Sequence, residues 1–121
     1  MIIVKQDSKP ITLMMKTLLL CLLLSFALQQ RHYTIGEVLR NARSLHTDNT
    51  TVQITGYITK KLQGNKYVFE DRTAEIEVAI DSAYLPQRPF TDKDEVTIKA
   101  LVLYEINKPI TLKANGPVSN Y

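Results

Sequence analysis

From Thr51 onward apolar residues recur at every second position, and that period constrains the fold more than any other feature of the chain. In TVQITGYITKKL, residues 51–62, Val52, Ile54, Gly56 and Ile58 share one face, while Gln53, Thr55, Tyr57, Thr59 and Lys61 share the other. Successive side chains of a strand point to opposite faces, so this is a long strand with one side buried. KYVFEDRTAEIEVAID, residues 66–81, repeats the pattern in two strands: Tyr67, Phe69, Ile76, Val78 and Ile80 point inward, and Lys66, Glu70, Glu75 and Glu77 outward. EVTIKALVLYE adds Val96, Ile98, Ala100 and Val102 on one side, and PITLKA adds a fifth strand through Ile110 and Leu112.

The joints between these strands carry their own chemistry. QGN, residues 63–65, turns the first strand into the second. DRTA, residues 71–74, makes the next turn, with the Asp71 carboxylate placed to accept backbone amides. Gly56 inside the first strand marks a bend or bulge of the kind a sheet needs when it curls onto itself. Gly56 and Asp71 are therefore assigned structural roles. DSAYLPQRPFTDKD, residues 81–94, breaks the alternation with Pro86 and Pro89, and its Tyr84, Leu85 and Phe90 supply the surface to plug one end of a barrel.

Ahead of the strands, TIGEVLRNARSL, residues 34–45, changes the period to 3.6: Ile35, Val38, Leu39, Ala42 and Leu45 form one apolar stripe. Thr34 and Glu37 have the spacing of a capping box, so a helix starts there. Arg40 and Arg43 lie off the stripe on a solvated face. One helix followed by five short strands predicts a mainly β protein, a five-stranded OB-fold Greek-key barrel preceded by one N-terminal α-helix. A small open meander satisfies the same periodicity.

MMKTLLLCLLLSFALQQ, residues 14–30, has the parts of a cleavable export signal. Lys16 gives the positive start, a leucine-rich run follows, and Ser25-Phe26-Ala27 places small residues for cleavage after Ala27. The apolar run from Leu18 to Leu28 falls short of the roughly 20 residues that span a bilayer. The expected organisation is a leader over 1–27, with translation starting at Met1, Met14 or Met15, and an OB-fold domain over 28–121 in the periplasm. The membrane is touched only through the uncleaved leader. Loss of residues 1–27 removes Lys5, Lys9, Lys16 and Asp7, so the net charge of +3 falls to +1. Cys21, the one cysteine, leaves too, and with it any disulfide or thiolate metal site.

Taken together, the capped helix, V-x-I-x-G-x-I at 52–58, Y-V-F-x-D at 67–71, I-x-V-x-I-D at 76–81 and D-x-V-x-I at 94–98 resemble the bacterial OB-fold family of small periplasmic stress-tolerance proteins, the YgiW/YdeI-like group. The chain departs from the pattern at Ala74, where glycine is usual, at Tyr84, where tryptophan is common, and at Ala100-Leu101-Val102, in place of a glycine-led strand centre. The resemblance implies a periplasmic, non-enzymatic barrel associated with tolerance of oxidative, acid, metal or antimicrobial stress, acting through a small or cell-envelope ligand.

The outward residues weigh against several chemistries. A single-stranded nucleic-acid binder needs aromatics interleaved with cations, each stacked base contributing roughly 1–3 kcal/mol. Here Tyr57, Lys61 and Lys66 are accompanied by Glu70, Glu75 and Glu77, which repel a polyanion, so no nucleic-acid partner is expected. The two histidines, His32 and His46, flank the helix with no nucleophile or metal-ligand spacing beside them. No catalytic residue, metal or cofactor is assigned, and the protein is not expected to be an enzyme. The expected ligand site is instead a mixed-charge face of Tyr57, Lys61, Lys66, Glu70, Glu75 and Glu77, holding a small cationic or sugar-like ligand with the tyrosine ring as platform. The same glutamates also suit a surface that only keeps strand edges soluble. The alternative function is an envelope protein-interaction adaptor, with Leu101 and Leu103 outward on the fourth strand under a partner or, in the simpler case, under the N-terminal helix.

Overall fold

The structure, a computed structural model, describes residues 31–120; the leader expected over residues 1–27, with its cleavage point after Ala27, lies outside the described residues. The period-two segments form β1 (Thr51–Lys61), β2 (Lys66–Glu70), β3 (Glu75–Ala79), β4 (Glu95–Leu103) and β5 (Thr111–Ala114). They close into a barrel in the order β1-β2-β3-β5-β4, with β4 pairing back to β1. The first three strands are an antiparallel meander, while β5 is antiparallel to β4 and parallel to β3. A parallel pair cannot be joined by a tight hairpin, so the excursion through β4 is what makes this a Greek key and not an open meander.

The inward residues named from the sequence make the core. Val52, Ile54, Phe69, Val78, Val96, Ile98 and Leu112 are buried, as are Tyr67, Ile76 and Ile80. Each fully buried large apolar side chain contributes about 1.5–3 kcal/mol relative to exposure. Tyr84, Leu85 and Phe90 of the connector, which includes a short 3-10 turn over Ser82–Tyr84, pack half-buried against this core.

Two features of β1 set its shape. A Cβ at Gly56 would collide with the Glu70 carbonyl oxygen and come within 3.0 Å of the Phe69 ring, so β1 and β2 approach too closely there for any side chain. The bulge comes later: Ile58 pairs with Phe69 but Lys60 with Val68, leaving Thr59 as the extra residue. One extra residue reverses the parity of every position after it in the strand. Lys61, expected on the outer face, is instead opposite the buried Tyr67, and Lys60 takes the outward position.

The expected single helix is two short ones, α1 (Ile35–Arg40) and α2 (Ala42–Thr47), separated at Asn41. The Asn41 side-chain amide donates to the Glu37 carbonyl oxygen at 2.9 Å, a local bond of the kind that competes with regular helix. The apolar stripe survives the break, since Ile35, Val38, Ala42 and Leu45 are all buried. The capping box forms as expected: Thr34 Oγ1 accepts from Glu37 N–H at 3.2 Å and Glu37 Oε1 accepts from Thr34 N–H at 3.3 Å.

A C-terminal segment that shows no alternation completes the barrel. Ser119 exchanges two backbone hydrogen bonds with Thr97 of β4, 2.9 and 3.1 Å long, and Val118 N–H donates to the Tyr84 carbonyl oxygen at 2.8 Å. This places the Val118 side chain in the core.

Candidate functional site

The register of the closed barrel places residues from four strands in one outward row. Val68 of β2 pairs with Glu77 of β3, Glu77 with Thr111 of β5, and Thr111 with Leu103 of β4. All four line a groove of about 540 Å³ on the barrel exterior, walled by Glu105, Lys108, Pro109 and Ile110 of the β4–β5 loop and by Lys66, Glu75 and Ile76. Val68, Glu77 and Thr111 are partly buried, so the floor is shielded and of mixed polarity.

The groove opens where the β3–β5 ladder stops. That ladder begins at Glu77↔Thr111; continuing it backward would set Ile110 opposite Ile76 and Pro109 opposite Glu75, yet no pair forms there. Proline has no N–H to give to a ladder, so the strands part at this point. The β4–β5 loop turns through Asn107 at φ 65 and is braced by Lys108 Nζ on Glu105 Oε2 at 2.8 Å. This hydrogen-bonded pairing lowers the Glu105 pKa and raises that of Lys108, each by the bond first and the attraction second. It is the one ion pair among the described residues, so Glu75, Glu77 and Lys66 face the groove without one.

The six residues expected to share a face are divided among several places. Lys66, Glu75 and Glu77 line the groove just described. Tyr57 and Glu70 are in register with Glu75 across β1, β2 and β3, but Tyr57 borders a separate hollow of about 270 Å³ with Asp71, Arg72 and Glu95. Lys61, turned by the bulge, lines a third hollow with Tyr67 and Phe90. Glu70 lies directly opposite Glu75, an exposed like-charge pair at the β2–β3 turn. Sequence reasoning missed the β4–β5 loop side of the groove, because Glu105, Lys108 and Ile110 meet β3 only through barrel closure.

Asp71 does more than make its turn. Its Oδ1 accepts from Thr73 N–H, Thr73 Oγ1 and Ala74 N–H at 2.7, 2.6 and 3.1 Å, and its Oδ2 from Ile35 N–H at 2.8 Å. Thr73 Oγ1 then accepts from Gly36 N–H at 2.8 Å, so the first three amides of α1 are satisfied by Asp71, Thr73 and Thr34. Partial burial works to raise the Asp71 pKa, but the bonds from Thr73, Ile35 and Ala74 outweigh it and leave the carboxyl below its ordinary range. His46 is also occupied structurally: its Nδ1 lies 2.9 Å from the Val102 carbonyl oxygen, which can only accept, so that nitrogen carries the proton. The bond falls just beyond the last β1–β4 pair, Thr51↔Leu101. Among the described residues no three His, Cys, Asp or Glu side chains converge as a metal site would require.

The closed five-stranded Greek-key order is that of an OB fold, and the family model described as bacterial OB fold (BOF) protein matches residues 29–111. The chain belongs to this family. Among solved structures it is similar to the hypothetical protein YgiW from E. coli, with 26% identity and a TM-score of 0.62, covering 75% of this chain and 90% of that one. Two further likenesses bear on the fold alone. A putative aspartyl-tRNA synthetase from Leishmania major has 16% identity and a TM-score of 0.53, with 77% of this chain matching 21% of that one. The OB domain of a Methanosarcina mazei protein has 12% identity and a TM-score of 0.52, over 78% of this chain and 84% of that one. No curated protein matches the chain. The BOF match extends through Thr111, so it takes in both the β2–β3 face and the β4–β5 loop that form the groove.

Proposed function

We propose that this BOF protein is a non-enzymatic periplasmic binder of a small ligand carrying a positive group, of the stress-tolerance type. The observation that carries the reading is the groove over Val68, Glu77, Thr111 and Leu103, where Glu75 and Glu77 face a partly shielded floor without a paired cation. The strand 2–3 face and the β4–β5 loop are also where OB folds in general hold ligands. An ammonium there gains more from two carboxylates than it would in open water, because the effective dielectric is lower. The same carboxylates disfavour a polyphosphate. Export rests on the leader-like sequence over residues 14–27.

A thermal-shift screen of the protein against polyamines, divalent metals, envelope sugars and cationic peptides tests the reading. The expected result is a hit carrying an amine, weakened by the double substitution Glu75→Gln, Glu77→Gln. A hit whose affinity is unchanged by that substitution removes the groove from consideration. A second reading, a protein-interaction adaptor, is favoured by two exposed apolar residues, Ile106 of the β4–β5 loop, 79% exposed, and Leu103 at the end of β4, 39% exposed. Size-exclusion chromatography of the wild type and of Ile106→Ser separates it: a self-associating wild type that the substitution makes monomeric supports the adaptor.

A further inference from the structure

The charges along the groove are ordered, and the order suggests a ligand. The row Val68–Glu77–Thr111–Leu103 has one neighbouring row on each side. Toward the start of β3 that row is Glu70 and Glu75; toward its end it is Lys66, Ala79, Lys113 and Leu101. Of these, Glu75 and Lys66 line the groove, so with Glu77 between them its charge runs from anionic at the start of β3 to cationic at its end. Glu105 and Lys108 on the loop wall are bonded to each other and contribute little net charge. Along β3 the two ends are four residue steps apart, from Glu75 to Ala79, or about 13 Å at the strand rise.

We propose that the groove holds a short extended peptide of about four residues with free termini, its amine at Glu75 and Glu77 and its carboxylate at Lys66. The inference rests on the small-ligand reading of the same groove and adds the ligand's class, length and direction. An extended chain of about four residues spans the same 13 Å. The direction follows from the charges, which align the peptide parallel to β3 and β5. The gap left by Pro109 adds an attachment: the β3 backbone at Glu75 points to the β5 side and has no ladder partner there, whereas that of Ile76 is turned to Phe69 of β2, so a strand laid there finds groups to bond at Glu75. Val68, Leu103 and Ile110 supply apolar contact for side chains at the middle of the peptide. A polyamine fits less well, since its far cation would meet Lys66.

Isothermal titration of the full chain with alanyl-valyl-valyl-alanine, its N-acetyl and C-amide forms, alanyl-alanine and spermidine tests the proposal, with amide NMR shifts locating the site. The expected result is binding of the free tetrapeptide, shifts centred on Val68, Glu77, Thr111 and Leu103, and a loss of about tenfold on acetylation and about threefold on amidation. Glu75→Gln abolishes the discrimination against the acetylated form, and Lys66→Gln that against the amide. Alanyl-alanine, too short to reach both ends, binds more weakly than the tetrapeptide. Equal binding of the capped forms or of the dipeptide overturns the proposal, as do shifts away from the groove. Groove binding of spermidine without the tetrapeptide overturns it while sparing the small-cation reading. Failure of every amine-bearing ligand to bind in the groove overturns both.

Discussion

The backbone N–H of Ile35 donates to Oδ2 of Asp71 at 2.8 Å across 36 residues of sequence. With Thr73 Oγ1 on Gly36 N–H, this bond pins the first turn of α1 to the β2–β3 turn. The turn is thus both a hairpin and an external N-cap, and the six-residue α1, too short to persist alone, is held by the barrel.

Asp71→Ala removes four accepted hydrogen bonds and leaves the amides of Ile35, Thr73 and Ala74 without their partner. The expected cost is about 2 kcal/mol, the upper part of the range for losing an N-cap. Urea denaturation followed by circular dichroism measures it. A loss no larger than that of an exposed control such as Arg72→Ala would show that α1 is held by apolar packing alone.

The lowered pKa of Asp71 carries a pH signature. A carboxyl whose folded pKa lies below its unfolded value contributes stability that is complete above the unfolded value and is lost as pH falls through the folded one. The unfolded value is about 3.9, so the contribution should be intact at neutral pH and fade below about pH 4. Melting temperatures of wild type and Asp71→Asn should differ most near neutrality and converge in acid; a constant difference would contradict this.

Gly56 and Gly64 need glycine for opposite reasons, and their alanine variants separate them. At Gly56 the added methyl strikes the β2 backbone at Glu70 and the Phe69 ring, so the strands must part at a cost of about 1–3 kcal/mol. At Gly64 nothing lies within 4 Å, but φ is +67, so alanine costs about 1–2 kcal/mol through backbone conformation alone. Gly64→Asn should recover part of that loss, because asparagine tolerates the left-handed region, whereas Gly56→Asn should be worse than Gly56→Ala. Chemical denaturation of the four variants checks the ordering.

Val118→Ala should destabilise the barrel by about 1.5–2.5 kcal/mol, as expected for removing two buried methyl groups. Val118 is only 5% exposed, so the C-terminal segment belongs to the core and is not a free tail. Ser119→Ala, which keeps the backbone pairing to Thr97, should change stability little. Equal effects of the two substitutions would argue against burial as the cause.

Local patterns were legible where the physics is local. The capping box of Thr34 and Glu37 spans three residues and appears as expected. The inward positions of β2 to β5 all prove buried or partly buried, since a pleated strand sends neighbouring side chains to opposite faces wherever it runs. The first failure is Lys61, misplaced because the bulge at Thr59 depends on how β1 pairs with β2 and leaves no mark in alternation. The second is the continuous helix, interrupted at Asn41, whose φ of −112° and ψ of 16° leave the helical region. Val118 lay beyond any periodic segment and entered the core only because Ser119 pairs with Thr97.

Residue order along the chain was enough to specify the strands and the side of each that is buried, because burial of alternating apolar residues is decided within each short segment. Closure into an OB barrel and not an open meander was decided by the β3–β5 pairing. It took the closed barrel to bring Glu77, Thr111 and Leu103 side by side, to cap a helix with Asp71 from 36 residues away, and to set Tyr57 apart from Glu77. The groove neighbours are set by the β3–β5 and β4–β5 pairings and by the interruption at Pro109. Register between distant strands is fixed only when the barrel closes, so no local spacing in the chain encodes the groove.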